Sequence, residues 1–233
     1  MPGKGLTDST MHTTIRLEPI EFKAASNGGS YYERERPDVV AAVRRCGKAG
    51  RILDVGCGGG TMGAAILRAG LVDEVVGLEK HPAAAELAAS RLTSVVVGDA
   101  VAYSPADGRL FGGAVLADVL EHQIDPDALL RHVARLVIAG GWVIVSLPNV
   151  GHFRVIASLI LGDWTYGDEG ILDRTHLRFF TWQSGLQLVD HAGLLPQFAM
   201  GVMTARGVRT ARALPWTSRL LATQLIIGCR RPV

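Results

Sequence analysis

The apolar positions along the chain follow two alternating periods. Short apolar runs typical of strands occur at RILDV (51–55), EVVGLE (74–79), SVVVGD (94–99), GAVLAD (113–118) and WVIVSLP (142–148). Segments with apolar residues at helical spacing lie before and between them, among them YYERERPDVVAAVRRC, TMGAAILRAG, PAAAELAASRL and PDALLRHVARLVIAG. Strands and helices that alternate in this way predict right-handed βαβ units. We therefore expect an α/β fold whose mostly parallel sheet has helices on both faces.

The two ends of the sequence complete this expectation. The first fourteen residues, MPGKGLTDSTMHTT, are polar, and residues 1–28 are expected to form a flexible N-terminal arm ahead of one domain over residues 29–233. Two late apolar stretches, LLPQFAMGVMTA and QLIIGCR, lack a full-length helix between them and are expected to close the sheet as its last two strands. The predicted sheet then has seven strands. No apolar run is long enough for a bilayer span, so no membrane contact is expected.

Composition narrows the classes of partner. The formal net charge of +2 is too small to favour nucleic acid. Six arginines and no acid follow Asp190, which indicates either a solvated face or a patch for an acidic substrate or carrier. Three widely spaced cysteines form neither a disulfide framework nor a metal motif. We expect a cytoplasmic protein, and a homodimer remains open.

Carboxylates stand at the ends of four successive predicted strands. These are Asp54, Glu79, Asp99 and Asp118. One such acid could simply cap the next helix, but the carboxyl ends of parallel strands meet at the edge where ligands bind. The stretch ILDVGCGGG adds an open glycine loop after the first of these strands. Together they predict a ligand that is rich in hydrogen-bond donors or positively charged.

The glycines alone are compatible with two classes of ligand. Gly58, Gly60 and Gly63 match the dinucleotide pattern G-x-G-x-x-G, and Glu79 lies near the spacing of its ribose acid. Against a nicotinamide cofactor, Asp54 would repel a pyrophosphate. S-adenosylmethionine has no phosphate: Asp54 suits its cationic methionine end, Glu79 its ribose hydroxyls, and a third carboxylate, Asp99, its adenine amino group.

The motifs resemble those of the class I S-adenosylmethionine-dependent methyltransferases, in the group of the ubiquinone-biosynthesis O-methyltransferases and the MetW-type proteins. The resemblance covers about residues 31–200 and rests on LDVGCGGG, GLEK, GDA, ADVLEHQIDPDALL and AGGWVIVSLPN. It implies a seven-stranded Rossmann-like fold and a cofactor site. In that site Gly56 and Gly58 lie under the methionine moiety, Ala117 and Asp118 lie beside the sulfonium, and Arg36 reaches the cofactor carboxylate. Glu79 is again expected to bind the ribose hydroxyls and Asp99 the adenine. Members of the family more commonly have Asp at the position of Glu79.

A long insertion follows the fifth strand of the minimal fold. It resembles the cap segment DEGxLDRTHLRFFT of bacterial methyltransferases from sugar and natural-product pathways. Loops of this length in a compact domain are usually functional or disordered, and the apolar content of this one argues against disorder. We expect residues 152–181 to be a lid over an acceptor pocket. The acceptor-binding residues predicted in it are Trp164, Tyr166, Asp173, Arg174 and Arg178.

Three histidines on the ligand side are candidates for a general base. They are His176 in the lid, His152 after the fifth strand and His122 after the fourth, and they are preferred in that order. A histidine is the natural base for a hydroxyl acceptor, and Asp173 or Glu121 could orient it. Asp118 and Asn149 could offer oxygen ligands to Mg²⁺, but two oxygen ligands do not make a site, so no metal is expected.

The expected activity is therefore O-methylation of a hydroxyl on a small sugar, phenol or natural-product metabolite in secondary metabolism, with S-adenosylhomocysteine as the second product. Three alternatives stay open. They are methylation of an amine or a carboxylate, a nicotinamide-dependent oxidoreductase, and a non-catalytic cofactor-binding protein of MetW type.

Overall fold

The computed structural model of the protein describes residues 15–21 and 36–233. One sheet contains the strands β1 (Leu17–Glu21), β2 (Ala49–Val55), β3 (Val72–Glu79), β4 (Ser94–Val97), β5 (Phe111–Ala117), β6 (Val137–Pro148), β7 (Leu195–Met203) and β8 (Gln224–Arg230). The helices are α1 (Pro37–Cys46), α2 (Thr61–Arg68), α3 (Pro82–Ala89), α4 (Pro126–Leu136), α5 (Phe153–Ile160), α6 (Trp182–His191), α7 (Ala205–Ala213) and α8 (Ser218–Leu221). Short 3₁₀ turns lie at Leu120–His122 and Pro215–Thr217.

The strand order is β1-β7-β8-β6-β5-β2-β3-β4. All neighbouring pairs are parallel except those of β8, which runs antiparallel to both β6 and β7. The order reverses between β2 and β5, which are neighbours although two strands separate them along the chain. In open α/β sheets the crevice at such a switch point, beyond the carboxyl ends of the strands, is where ligands bind.

Apolar packing covers both faces of the sheet. One cluster on the sheet includes Leu53, Leu116 and Leu147, and a second includes Ile52, Val115 and Ile144. Neighbouring residues of one strand thus belong to opposite clusters, as expected when successive side chains point to opposite faces. The strands that carry the predicted ligand residues are therefore anchored from both sides.

Local signals explain where several helices begin and end. Asp125 caps α4 by accepting a hydrogen bond from the backbone N–H of Ala128 at 2.9 Å, and Pro126 occupies the first turn. The apolar pattern predicted that this helix runs on through VIAG. Instead α4 ends at Leu136 and β6 begins at Val137, which pairs with Phe111 of β5.

The structure corrects the predicted strand count and arm. The sheet has eight strands in the described part of the chain, because Leu17–Glu21, assigned to the arm, pair in parallel with β7. Residues 1–14 and 22–28 of that arm lie outside the described residues. The mostly parallel α/β architecture is confirmed. Over residues 15–21 and 36–233, no helix combines the length and apolar character that a membrane crossing needs.

Candidate active site

A cavity of about 1750 Å³ opens at the carboxyl edge of the sheet. Its lining includes the glycine loop after β2, the ends of β3 and β5, the beginning of β8 and part of the segment predicted as a lid. Ligand pockets usually measure about 300–1,000 Å³, so this cavity has room for two small molecules. Acidic side chains outnumber basic ones in its lining.

Glu79 holds the glycine loop against the end of β3. Its Oε2 accepts a hydrogen bond from the backbone N–H of Gly58 at 2.8 Å, and its Oε1 accepts one from the N–H of His81 at 2.9 Å. The Glu79 side chain is almost fully buried and lines the cavity. Each carboxylate oxygen can accept a further bond, so Glu79 can bind two neighbouring hydroxyls of a ligand while it keeps the loop in place.

The glycine loop requires glycine at two positions for steric reasons. Gly56 has φ of +65°, and a Cβ on it would lie 2.8 Å from Cγ2 of Val119. Gly60 has φ of +78°, and a Cβ there would lie 2.9 Å from the Cα of Ala88. Both values lie in the left-handed region. Gly56 and Gly58 line the cavity, so the predicted backbone floor lies where a ligand can reach it.

Asp54 occupies a different position from the other predicted cofactor ligands. Its side chain is fully buried, and neither carboxylate oxygen has a hydrogen-bond partner among the described residues. It faces α2, since a Cβ on Gly63 would lie 2.9 Å from its Oδ2. Burial and the neighbouring Glu79 raise the pKa of Asp54 to about 7. Asp54 is not among the described residues that line the cavity. Its binding to the methionine end of the cofactor stays a prediction.

The residue predicted to contact adenine, Asp99, lies at the cavity. Asp99 lines it, and its Oδ1 accepts a hydrogen bond from the N–H of Val101 at 3.0 Å. Ala117, at the end of β5, also lines the cavity. The adenine and sulfonium positions predicted from the motifs therefore lie along one continuous surface.

Asp118 is at the centre of a polar network that the sequence did not reveal. It accepts short hydrogen bonds from the Arg36 guanidinium and from the side-chain amide of Gln224. Both donors also bond to the hydroxyl of Ser146, at 2.8 Å from Arg36 and 3.0 Å from Gln224. A fifth residue, Asp38, binds Arg36 as well. Gln224 belongs to no motif, and Ser146 lies in AGGWVIVSLPN without a role predicted for it. The pairing of β8 with β6 brings Gln224 to the edge where Ser146 lies.

The electrostatics of Arg36 follow from this network. Burial lowers the pKa of the Arg36 guanidinium, but the carboxylates of Asp118 and Asp38 outweigh burial and hold the pKa above its ordinary value. Arg36 is therefore a permanent cation at the rim of the cavity. Its predicted contact with a cofactor carboxylate requires it to share or exchange these partners.

The segment predicted as a lid is hydrogen-bonded to the turn that follows β5. It contains α5 and an irregular stretch to residue 181, and the backbone N–H groups of Leu177 and Arg178 donate to the carbonyl oxygen of Glu121 at 2.8 and 3.0 Å. The lid is thus joined to the 3₁₀ turn that follows β5. Trp164 and Tyr166 stack around Phe179, with Trp164 and Phe179 ring centroids 5.3 Å apart.

The five predicted acceptor residues take different positions. Asp173 and Arg174 line the cavity. Arg178 instead donates to the carbonyl of Ile124 at 2.6 Å. Among the described residues Trp164, Tyr166 and Arg178 do not line the cavity. Their predicted contacts with an acceptor would need the lid to move.

The three candidate histidines are also separated by the structure. His122 lines the cavity, with Nδ1 3.2 Å from the carbonyl oxygen of Thr175. His176 packs edge-on behind it, with ring centroids 4.9 Å apart, and its Nδ1 lies 3.1 Å from the carbonyl oxygen of Ile171. His152 caps α5 by accepting from the N–H of Arg154 at 3.3 Å. Of the three, His122 is the one that lines the cavity in the part of the chain that the structure describes, and the choice of base among them stays a prediction.

Burial sets the protonation of the groups around His122. Burial lowers the pKa of His176, and the neighbouring His122 adds to this effect. Burial, with the nearby Asp118 charge, raises the pKa of Glu121 well above its usual range. For Asp173, burial is outweighed by hydrogen bonds from Thr175, which lower its pKa. These shifts favour the neutral forms of His176 and Glu121 and the ionised form of Asp173.

A group of possible cation ligands was not anticipated from the sequence. Glu121, His122 and His176 each offer a ligand atom, and these atoms lie within 4.8 Å of one another. Oε2 of Glu121 is buried without a hydrogen-bond partner in the part of the chain that the structure describes. Both ends of the Asn149 amide have partners elsewhere. Its nitrogen donates to the carbonyls of Arg219 and Ala222, and its Oδ1 accepts from the N–H of Gly151 at 3.0 Å. Imidazole and carboxylate ligands fit a divalent cation.

Comparisons with known proteins agree with this geometry. A family profile described as a methyltransferase domain matches residues 30–195. The ubiquinone biosynthesis O-methyltransferase of Alkalilimnicola ehrlichii is 36% identical over 161 residues, which cover 61% of this chain and 64% of that protein. The enzyme of the same name from Pseudomonas aeruginosa (strain LESB58) is 30% identical over 167 residues, which cover 64% of this chain and 70% of the relative.

Solved structures share the fold. A SAM-dependent methyltransferase from Archaeoglobus fulgidus has a TM-score of 0.61 at 15% identity and covers 85% of this chain and 96% of its own. The N-methyltransferase NodS from Bradyrhizobium japonicum in complex with S-adenosyl-L-homocysteine has a TM-score of 0.60 at 14% identity and covers 89% and 94%. At these identities the similarity establishes the architecture alone.

Proposed function

Because the chain belongs to the family of methyltransferase domains, we propose that it transfers a methyl group from S-adenosylmethionine to a hydroxyl oxygen of a small acceptor molecule. The observation that carries this proposal is the placement of Glu79. It fastens the glycine loop to β3 and still presents its carboxylate to the cavity. A carboxylate in this position suits a ligand that has two neighbouring hydroxyls and a positive charge.

The charge of the cavity supports this donor over a dinucleotide. Asp99 and Asp118 line the same surface as Glu79, and a pyrophosphate there would meet several carboxylates. Gly60 has a positive φ and packs closely against Ala88 and Leu92, and Gly63 packs closely against Leu92 and Val75. Two glycines of the dinucleotide pattern thus have a structural explanation without a phosphate.

The acceptor is proposed to bind between the sulfonium position and the lid. His122 and two residues of the predicted lid, Asp173 and Arg174, line the same cavity as Ala117. Hydroxylated sugars, phenols and natural-product metabolites all fit these donors and acceptors. The relatives named ubiquinone biosynthesis O-methyltransferase favour a phenolic hydroxyl within this class.

Methyl transfer then requires alignment and removal of one proton. The acceptor oxygen attacks the methyl carbon in line with the sulfur, the carbon–sulfur bond breaks, and neutral S-adenosylhomocysteine leaves. Alignment supplies most of the acceleration. We assign the proton to Nε2 of His122, because its Nδ1–H can donate to the carbonyl of Thr175, which leaves Nε2 as the acceptor.

A divalent cation offers a second route for the same proton. Bound by Glu121, His122 and His176, it would lower the pKa of an acceptor hydroxyl that it contacts. A cation would also occupy His122, so the two routes exclude each other. Full methyl transfer after dialysis against a chelator supports His122 as the base, whereas loss that Mg²⁺ or Zn²⁺ restores supports the cation.

Two measurements test the function. Calorimetric titration with S-adenosylhomocysteine and with NAD should show binding of the first alone. A methyl-donor assay over matched panels of phenols, sugars, amines and carboxylic acids should then give transfer to hydroxyl compounds. Binding of NAD instead would refute the donor, transfer only to amines or acids would refute the acceptor class, and binding without any turnover would indicate a MetW-type role.

A further inference from the structure

Asp118 has an unusual backbone conformation. With φ of +58°, it is the one non-glycine residue in the left-handed region among residues 15–21 and 36–233. Such conformations are unfavourable for residues with a Cβ and persist where the surroundings impose them. The surroundings here are the side chains that bind its carboxylate.

Those side chains form a closed ring of hydrogen bonds. Arg36 and Gln224 each donate to a different carboxylate oxygen of Asp118, and both donate to the hydroxyl of Ser146. Ser146 is fully buried in β6, and its carbonyl oxygen accepts the backbone N–H of Asp118 at 3.3 Å. The ring thus joins α1, the end of β5, β6 and the first residue of β8.

The conformation of Asp118 is also linked to the glycine loop. Val119 follows it directly, and the close approach of Val119 to Gly56 leaves no space for a Cβ. A change in the backbone at Asp118 would therefore move Val119 against the floor of the cavity. The backbone conformation of Asp118 therefore affects both the residues beside Ala117 and the glycine loop.

We propose that Gln224 and Ser146 are positioning residues of the cofactor site, which hold Asp118 in its left-handed conformation and thereby fix the wall beside Ala117 against the glycine loop. This inference rests on the proposed function, because it takes that part of the cavity as the place of the cofactor's reactive end. Neither residue is required to touch the cofactor.

The division of labour between the two donors supports this assignment. Arg36 also binds Asp38, through Nε at 3.0 Å and Nη2 at 2.8 Å, and lies where a cofactor carboxylate would compete for it. Gln224 carries no charge that would attract a cofactor carboxylate as Arg36 does, so it can hold Asp118 when Arg36 changes partners. Because Gln224 is neutral, it also leaves the negative charge of Asp118 available to a sulfonium.

A double-mutant cycle tests the assignment. The ligand is S-adenosylhomocysteine, measured by calorimetry, and the variants are Gln224→Met, Asp118→Gly and the double variant. Gln224→Met should weaken binding about tenfold, as expected when a bond to a charged group is lost. Glycine adopts positive φ without a support, so in the Asp118→Gly background the same substitution should change the affinity less than about twofold.

Controls separate this role from general stability. Gln197→Met alters a glutamine on β7 whose amide donates to the carbonyls of Leu195 and Pro196, and it should bind like the wild-type protein. Should Gln224→Met fail to fold in thermal unfolding, Ser146→Ala removes only the shared hydroxyl and should also weaken binding.

Equal losses from Gln224→Met in both backgrounds, or unchanged affinity in Gln224→Met or in a folded Ser146→Ala, would overturn the assignment alone. A wild-type protein that does not bind S-adenosylhomocysteine would overturn the proposed function and this inference with it.

Discussion

The buried carboxyl of Asp54 gives the sharpest test of the site's electrostatics. Substitution of Asp54 by asparagine keeps the shape of the side chain and removes its ionisation. Because the pKa of Asp54 is raised from 3.8 to about 7 by burial and by Glu79, the folded protein binds its proton more tightly than the unfolded chain does. The stability that this provides is full below the unfolded pKa of 3.8 and is lost as the pH rises towards 7.

The size of the effect follows from the shift. One pKa unit corresponds to about 1.4 kcal/mol. Between pH 5 and the folded pKa of about 7, the wild-type protein should lose about 3 kcal/mol of unfolding free energy that Asp54→Asn does not lose. Asp54→Asn should therefore be more stable, relative to the wild-type protein, at pH 8 than at pH 5.

The assay is urea unfolding of both proteins at pH 5, 6, 7 and 8, with Asp73→Asn, an exposed acid on β3, as the matched control. The difference between Asp54→Asn and the wild-type protein should grow with pH up to about 7 and then level off, while Asp73→Asn should show no such trend. A constant difference across this range would show that Asp54 is already ionised and paired. Calorimetry with S-adenosylhomocysteine on the same variant also tests whether Asp54 serves the methionine end.

Three further predictions concern ligand binding and catalysis. Glu79→Ala should weaken S-adenosylhomocysteine binding by about 1–3 kcal/mol, measured by calorimetry, because ribose hydroxyls lose a charged acceptor; unchanged affinity would place the ribose elsewhere. His122→Ala should lower kcat roughly 10²–10⁴-fold at constant cofactor affinity, while His132→Ala, on α4, should leave kcat unchanged. Full activity of His122→Ala with a large loss in His176→Ala would identify His176 as the base instead. Residues 152–181 should exchange amide hydrogens more slowly when cofactor and acceptor are bound, and equal exchange in both states would exclude a lid.

Much of the fold could be predicted from sequence because its strands are short, apolar and regularly separated by helices. The pattern failed at β1, a five-residue edge strand with Pro19 at its centre, which has too few apolar positions to be distinguished from a loop. It failed again at Val137, where helix and strand join without a turn residue, because a continuous apolar run is compatible with either structure.

The site was predictable where it depends on consecutive residues. The glycine loop and Glu79 directly follow or end predicted strands, and the short motifs that contain them indicate what they bind. The burial of Asp54 could not be predicted, because both faces of a central parallel strand are covered and the sequence does not say which face a residue takes. Gln224 and Ser146 escaped notice for another reason: their meeting depends on an antiparallel pairing 78 residues apart along the chain.

The position of β8 has a consequence for how the protein folds. The strand that comes last along the sequence is inserted between β6 and β7, so β7, and with it the early β1, joins the sheet only through β8. During synthesis, β1 must therefore wait for almost all of the following residues before its neighbours are in place. Such long-range pairing slows folding and leaves strand edges of β6 and β7 open in the meantime. The half of the sheet that carries Gln224 should be the last to assemble.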